Sequence, residues 1–214
     1  MRKYLNPYRE LIGAQIRVDA YAYAVAGNLE LAAELAWRDA SFSHVKNGIY
    51  GAMFISAMIA AAFVEKDPEK IIVSALSEIP KNSRLANDIK KAVEIAKGEK
   101  DQISLVSNIW EAFKHYPSIH ANNNAALCAA SVLFGGDDFE KAVTTSVLGG
   151  FDTDCNGATV GSIMGAMLGA GNIPESWKNP LNDTMYSDIW GFHPIPISKC
   201  AEQSYELFMK FRKK

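Results

Sequence analysis

Cysteine is scarce in this sequence. The three present, Cys128, Cys155 and Cys200, are far apart and include no CxxC pair. That excludes a disulfide framework and a thiolate zinc site, and it suits a reducing cytoplasm. Positive charge is not concentrated either: Lys and Arg number 22 against 24 Asp and Glu, a net charge of −2, and no basic run longer than the terminal Lys213-Lys214 stands out. Nucleic-acid binding therefore has no electrostatic footing. Long apolar runs are missing as well. The two longest, GAMFISAMIAAAFV (51–64) and GATVGSIMGAMLGAG (157–171), are too short to span a bilayer and read as buried helices. The opening MRKYLNPYRELIGAQIR has no apolar core of signal-peptide length. The expectation is a soluble protein without a membrane partner. Alternating strand patterns are nearly absent, and there is no internal repeat.

What is there is helical. The 214 residues, 49% hydrophobic and 21% charged, have the composition of a folded chain and the length for one domain with a substantial core. Asn28 is placed to cap NLELAAELAWRDA, whose apolar stripe is Leu29, Ala32, Ala33, Leu35 and Ala36. Asp67-Pro68 opens DPEKIIVSALSEI with a cap and a proline at the first helical position. Ser83 starts SRLANDIKKAVEIAKG, which stops at Gly98. SLVSNIWEAFKHY (104–116) and NAALCAASVLF (124–134) follow, and then Asp137 as the cap of DDFEKAVTTSVLG. ISKCAEQSYELFMKFRKK closes the chain as an amphipathic helix. Between the last two helices, 172–196 holds four of the eight prolines and reads as an ordered but irregular excursion. The pattern predicts an all-α fold, with residues 1–214 as a single domain and helices packed at several angles.

Gly157, Gly161, Gly165 and Gly169 recur every four residues and share one face of a helix. Each interior glycine costs roughly 1 kcal/mol against alanine, so the spacing predicts a buried central helix that another backbone approaches closely. Such a helix would hold the loop in front of it, GGFDTDC, rigidly. Asp152 and Asp154 in that loop allow three readings. Asp154 or Asn156 caps the helix while Asp152 makes a turn bond. Alternatively, Asp152, Asp154, Asn156 and Gly157 match the first six places of a calcium loop, although the twelfth place, Ile163, offers no oxygen. In the third reading the two carboxylates are part of a site for a hard divalent cation such as Mg²⁺, completed by oxygens from elsewhere.

GGFDTDCNGATVGSIMGA (149–166) resembles the metal motif of the ADP-ribosylglycohydrolases, usually Gly-Gly-Asp-Thr-Asp-Thr before a small-residue helix. GAQIR (13–17) is similar to the family's diphosphate-cradling loop, and SFSHVKNGIYGAMF (41–54) to its Ser-His or Thr-His segment, in the same order along the chain. The resemblance implies a compact multi-helix orthogonal bundle and hydrolysis of an ADP-ribose glycosidic bond assisted by two Mg²⁺ ions. Its substrate would be ADP-ribose or an ADP-ribosylated partner. It implies Asp152 and Asp154 as metal ligands, and Gly13, Ala14, Gln15, Arg17, Ser43, His44, Gly150 and Phe151 as substrate-binding residues. Cys155 stands where many members have a metal-touching threonine, and a thiol is a poor Mg²⁺ ligand. Ile12 stands where asparagine is common. The family's Gly-Asp-x-x-Gly and Thr-Asp-Asp motifs, which carry the other half of the metal site, do not occur. The expectation is thus a chain resembling the C-terminal portion of such an enzyme, inactive without an N-terminal half. The alternatives are a non-catalytic ADP-ribose- or nucleotide-binding module and a structural protein.

Overall fold

The computed structural model describes residues 4–212. A 3-10 turn, Ile12–Arg17, leads into eleven α-helices: α1 Asp19–Ala24, α2 Leu29–Ser43, α3 Asn47–Ala62, α4 Pro68–Leu76, α5 Arg84–Gly98, α6 Gln102–Phe113, α7 Ala121–Gly135, α8 Phe139–Leu148, α9 Thr153–Leu168, α10 Glu175–Lys178 and α11 Ile197–Arg212. The only sheet among the described residues is a two-residue antiparallel pair, β1 Thr184–Met185 with β2 Ile195–Pro196. It lies within the proline-rich excursion. The fold is all-α, as the sequence predicts. No described helix is long and apolar enough to cross a membrane. Lys213 and Lys214, assigned above to the closing helix and the basic run, lie outside the described residues.

Most helix starts sit where their capping side chains place them. Asn28 accepts from the Leu31 N–H at 3.0 Å, Asp67 from Glu69 at 2.9 Å, and Ser83 from Ala86 at 3.1 Å. Three of the other starts differ from expectation. The cap of α8 is Asp138, not Asp137, because Asp138 is the residue whose carboxylate reaches the Lys141 N–H at 2.9 Å. Helix α6 begins two residues early behind Asp101, which bonds the Ser104 N–H at 2.9 Å. Helix α7 begins at Ala121 rather than Asn124, with the His120 ring as its cap.

Helices α3 and α7 are small and apolar on nearly every face, so they are buried on nearly every face. Phe54, Ile55 and Ile59 of α3 are fully buried, each worth about 1.5–3 kcal/mol relative to exposure. Helix α2 lies along α3, α5 along α7, and α8 against both α7 and α9, while α3 also meets α1, α4 and α9. Neighbours on so many sides are incompatible with a simple up-down bundle. This arrangement brings the chain segment before α1, the starts of α3 and α7, and the loop before α9 into one region.

The glycine ladder behaves differently from the expectation. The buried face of α9 carries Asn156, Thr159, Val160, Ile163, Met164 and Met167. A methyl group built on Gly161 would meet nothing within 4 Å, and one on Gly165 only the tip of Ile173 at 3.7 Å. Gly169 is not in the helix; it ends α9 with φ +82°. Gly157 alone is tight, 3.1 Å from Val147. No backbone grips this face at Gly161 or Gly165, so the glycine ladder does not hold the preceding loop.

Candidate active site

Two glycines on α3 make room for the segment that precedes α1. A Cβ on Gly48 would lie 2.7 Å from the Arg9 carbonyl oxygen and 3.1 Å from Glu10 Cα. One on Gly51 would lie 2.8 Å from Gln15 Oε1 and 3.3 Å from Ala121 Cβ. Residues 9–15 therefore settle into a trough that any larger side chain would fill. Arg17 then braces the arm: its Nε donates to Asp39 Oδ2 at 2.7 Å, Nη1 to the Gly13 carbonyl at 3.0 Å, and Nη2 to Ser43 Oγ at 3.1 Å.

Ser43 Oγ lies 2.8 Å from His44 Nδ1. Oγ has two lone pairs and one proton, so with one lone pair taken by Arg17 it can still either donate to Nδ1 or accept from it; when it donates, the ring proton lies on Nε2. The Nε2 edge lies beside Gly13, 3.6 Å from where a Cβ would be. Burial, then the Arg17 charge, hold His44 below its ordinary pKa against the opposing pull of Asp39, so the imidazole is neutral at pH 7. Gly13, Arg17, Ser43 and His44 are thus brought together. Ala14 and Gln15 are fully buried, and their side chains reach no surface; neither amide atom of Gln15 has a hydrogen-bond partner.

The second half of the region is the loop between α8 and α9. Gly150 (φ +70°) and Phe151 (φ +57°) are both left-handed, a strained state for a non-glycine residue. The Phe151 ring is pinned by stacking on Trp110, centroids 5.2 Å apart and planes 21° from parallel. Asp152 occupies the N-cap position of α9 but makes no side-chain cap bond, and neither Asp154 nor Asn156 is the cap. Ligand atoms of Asp152, Asp154 and Cys155 lie within 4.8 Å of one another, the only such group of three among the described residues.

The electrostatics of this trio are those of acids crowded around one point. Burial raises the Asp152 pKa, a hydrogen bond from the Cys155 thiol opposes it, and Asp154 pushes it further up. Exposed Asp154 is held below its usual range, chiefly by its hydrogen bond with Asp152. Burial and the two neighbouring carboxylates push the Cys155 thiol up to about 12, so it is protonated at neutral pH. A neutral thiol does not suit a hard cation. Two convergent carboxylates do suit Mg²⁺, which takes one or two of them and keeps its remaining places for water or substrate oxygens.

The start of α7 joins the two halves. Ile12 donates its N–H to the Ile119 carbonyl at 3.0 Å, Leu11 pairs with His120, and Ala121 donates to the Glu10 carbonyl at 3.1 Å. His120 Nδ1 accepts from the Asn122 N–H at 3.1 Å. Asn124 accepts from the Asp152 N–H at 3.1 Å and from the Asn156 amide at 2.8 Å, and donates to the carbonyls of Ser118 and His120, both at 2.7 Å. Sequence reasoning assigned no role to Asn122, Asn123 and Asn124. The available signal was three uncharged amides directly ahead of an apolar helix, a placement that requires internal hydrogen bonds once buried.

The sequence model of a family described as ADP-ribosylglycohydrolase matches residues 5–210, nearly the whole chain. No curated protein matches the chain closely.

Proposed function

The chain belongs to the ADP-ribosylglycohydrolase family, and from that premise we propose that it handles ADP-ribosyl groups through a Mg²⁺ site on Asp152 and Asp154. The observation that carries this reading is the pair itself: two carboxylates, one at the N-cap and one in the first turn of α9, converging within one ligand sphere. Bound Mg²⁺ would orient the ribose hydroxyls and stabilise charge developing at the sugar during cleavage of the glycosidic bond.

The chain's own residues do the rest. With Ser43 donating to its Nδ1, neutral His44 presents an Nε2–H donor beside Gly13, which suits a phosphate oxygen. Arg17 donates to three protein acceptors, so its part is to hold Gly13, Ser43 and His44 in register and to lend positive potential. Gly150 and Phe151 shape the approach to Asp152, and the Trp110 stack fixes the Phe151 ring. The helices act as one domain, and the free cysteines agree with a reducing cytoplasm.

Calorimetry with ADP-ribose tests the proposal. Mg²⁺ is expected to tighten binding, and Asp152→Asn to abolish that tightening. A variant that keeps the wild-type Mg²⁺ response removes the metal assignment. A second reading, a metal-independent ADP-ribose-binding module, is favoured by the completeness of the Arg17–Ser43–His44 bracing without any help from the acids. It requires equal affinity with and without Mg²⁺.

A further inference from the structure

We propose that Asn124 is a positioning residue for the metal loop, setting where the Asp152 carboxylate stands relative to the phosphate-side arm. The inference rests on the Mg²⁺ reading above and goes beyond it to a residue outside the ligand set.

Asn124 is fully buried in the first turn of α7. Its Oδ1 takes two donors, the Asp152 N–H and the Asn156 Nδ2, and its Nδ2 serves the Ser118 and His120 carbonyls. Both ends of the amide are therefore engaged, and they face different halves of the site. On one side is the first acid of the loop. On the other are residues 118–120, whose middle member, Ile119, holds the Ile12 N–H and whose last, His120, pairs with Leu11. Asn156 extends the network inward, where its Oδ1 accepts from the Cys128 thiol at 3.4 Å.

The Trp110 stack fixes the Phe151 ring, and Gly149 packs so closely on Leu127 that a Cβ would lie 2.5 Å from it. Neither contact reaches Asp152. Its backbone N–H is held by the Asn124 side chain, and Asn124 thereby sets where the Asp152 carboxylate starts. Groups that orient a ligand without touching the metal typically change affinity 10–100-fold when removed. An aspartate would bring a carboxylate against two carbonyls, and alanine would leave the Asp152 N–H without its acceptor.

The test uses the full chain with Mn²⁺ as the paramagnetic probe, bound metal read by EPR and Asp152 amide exchange read by NMR, alongside a thermal melt. Wild type is expected to bind Mn²⁺ and to protect the Asp152 amide, and Asp152→Asn to lose the metal. Asn124→Ala should weaken Mn²⁺ about 10–100-fold and expose the Asp152 amide to exchange, with Asn124→Ser giving a smaller loss in the same direction. The control is Asn123→Ala. Asn123 bonds the Pro117 and Ser118 carbonyls at 3.1 and 3.2 Å in the same turn, and its Oδ1 accepts a long bond from Asn124 Nδ2 at 3.3 Å. Its removal loosens the same loop but leaves both bonds to Asn124 Oδ1 in place, so metal affinity and Asp152 protection stay at wild-type values. A folded Asn124 variant with wild-type Mn²⁺ affinity overturns the proposal, as does an Asn123→Ala variant equally weakened. If neither Asn124 variant folds, an unprotected Asp152 amide in the wild type overturns it. Wild type that binds no Mn²⁺, or Asp152→Asn that binds it normally, instead overturns the underlying metal reading.

Discussion

Helices α3 and α9 begin alike and are used in opposite ways. Each is entered through a non-glycine residue with positive φ, Lys46 at +46° and Phe151 at +57°, and each has glycines along its length. On α3 the glycines are filled: segment 9–15 lies where the Cβ of Gly48 and Gly51 would be, and Arg17 ties its Gly13 carbonyl to Ser43 and, through Ser43, to His44. On α9 Gly161 faces open space and Gly165 meets only the tip of Ile173, and the acids ahead of them crowd together. A glycine in a helix therefore has no single meaning. In one case it admits a neighbouring chain and in the other it leaves a face bare. A loop whose helix is not gripped from behind must be held from in front.

The largest effect that separates the two regions is the response to metal. With Mg²⁺ at a hundred times its dissociation constant, ligand linkage adds about 2.7 kcal/mol to stability. We expect Asp152→Asn/Asp154→Asn to lose that gain entirely. Without metal the same variant should melt no lower than wild type, because the substitution removes like-charge crowding. Thermal melts in Mg²⁺ and in EDTA read both outcomes. A metal-free variant that melts well below wild type would mean the acids are structural after all.

Next in size is a pair of glycine substitutions. Gly48→Ala forces a methyl group to within 2.7 Å of a backbone oxygen. The strain, about 1–3 kcal/mol for overpacking, should outweigh a helix-propensity gain of up to about 1 kcal/mol. Gly161→Ala meets nothing and should keep its gain of about 0.5–1 kcal/mol. Urea unfolding of both variants tests the contrast. If Gly161→Ala destabilises, the bare face of α9 is occupied in solution.

These contrasts mark what the sequence could and could not reveal. Capping chemistry is local, so Asn28, Asp67 and Ser83 were legible, and an all-α fold followed from periodicity. Asp138 was missed because adjacent acids differ only in which one reaches an N–H. The glycine ladder misled because a four-residue spacing states that a face is small, not that anything lies against it. Of the candidate site, the acid pair and the Ser-His pair were legible as motifs. The join between them was not, because Asn124 is remote in sequence from Asp152 and only the tertiary fold aligns one amide with the other's N–H.

The smallest effect is a difference in how the two regions respond to acid. His44 sits below its ordinary pKa of 6.5, mainly from burial and then from Arg17, opposed by Asp39. Above pH 6.5 neither folded nor unfolded chain carries the proton, and the arm's stability is complete. As pH falls through 6.5, the unfolded chain takes up a proton that the folded imidazole refuses, so stability declines until the lower folded pKa is reached. His120, lowered mainly by burial and with its Nδ1 already accepting the Asn122 N–H, adds a loss of the same sign. Asp152, raised mainly by burial, has the opposite sign: the folded chain takes that proton first, so the first protonation of the acid pair relieves the loop. The second, on Asp154, which is held low chiefly by its bond with Asp152, costs stability again at lower pH. Stability measured by urea unfolding from pH 7.5 downward should therefore fall first and then lose part of its slope. His44→Gln should flatten the upper limb alone, and Asp152→Asn should remove the compensation on the lower limb alone. If His44→Gln leaves the upper limb unchanged, the imidazole is not held neutral by the fold, and the donor assigned to its Nε2 loses its basis.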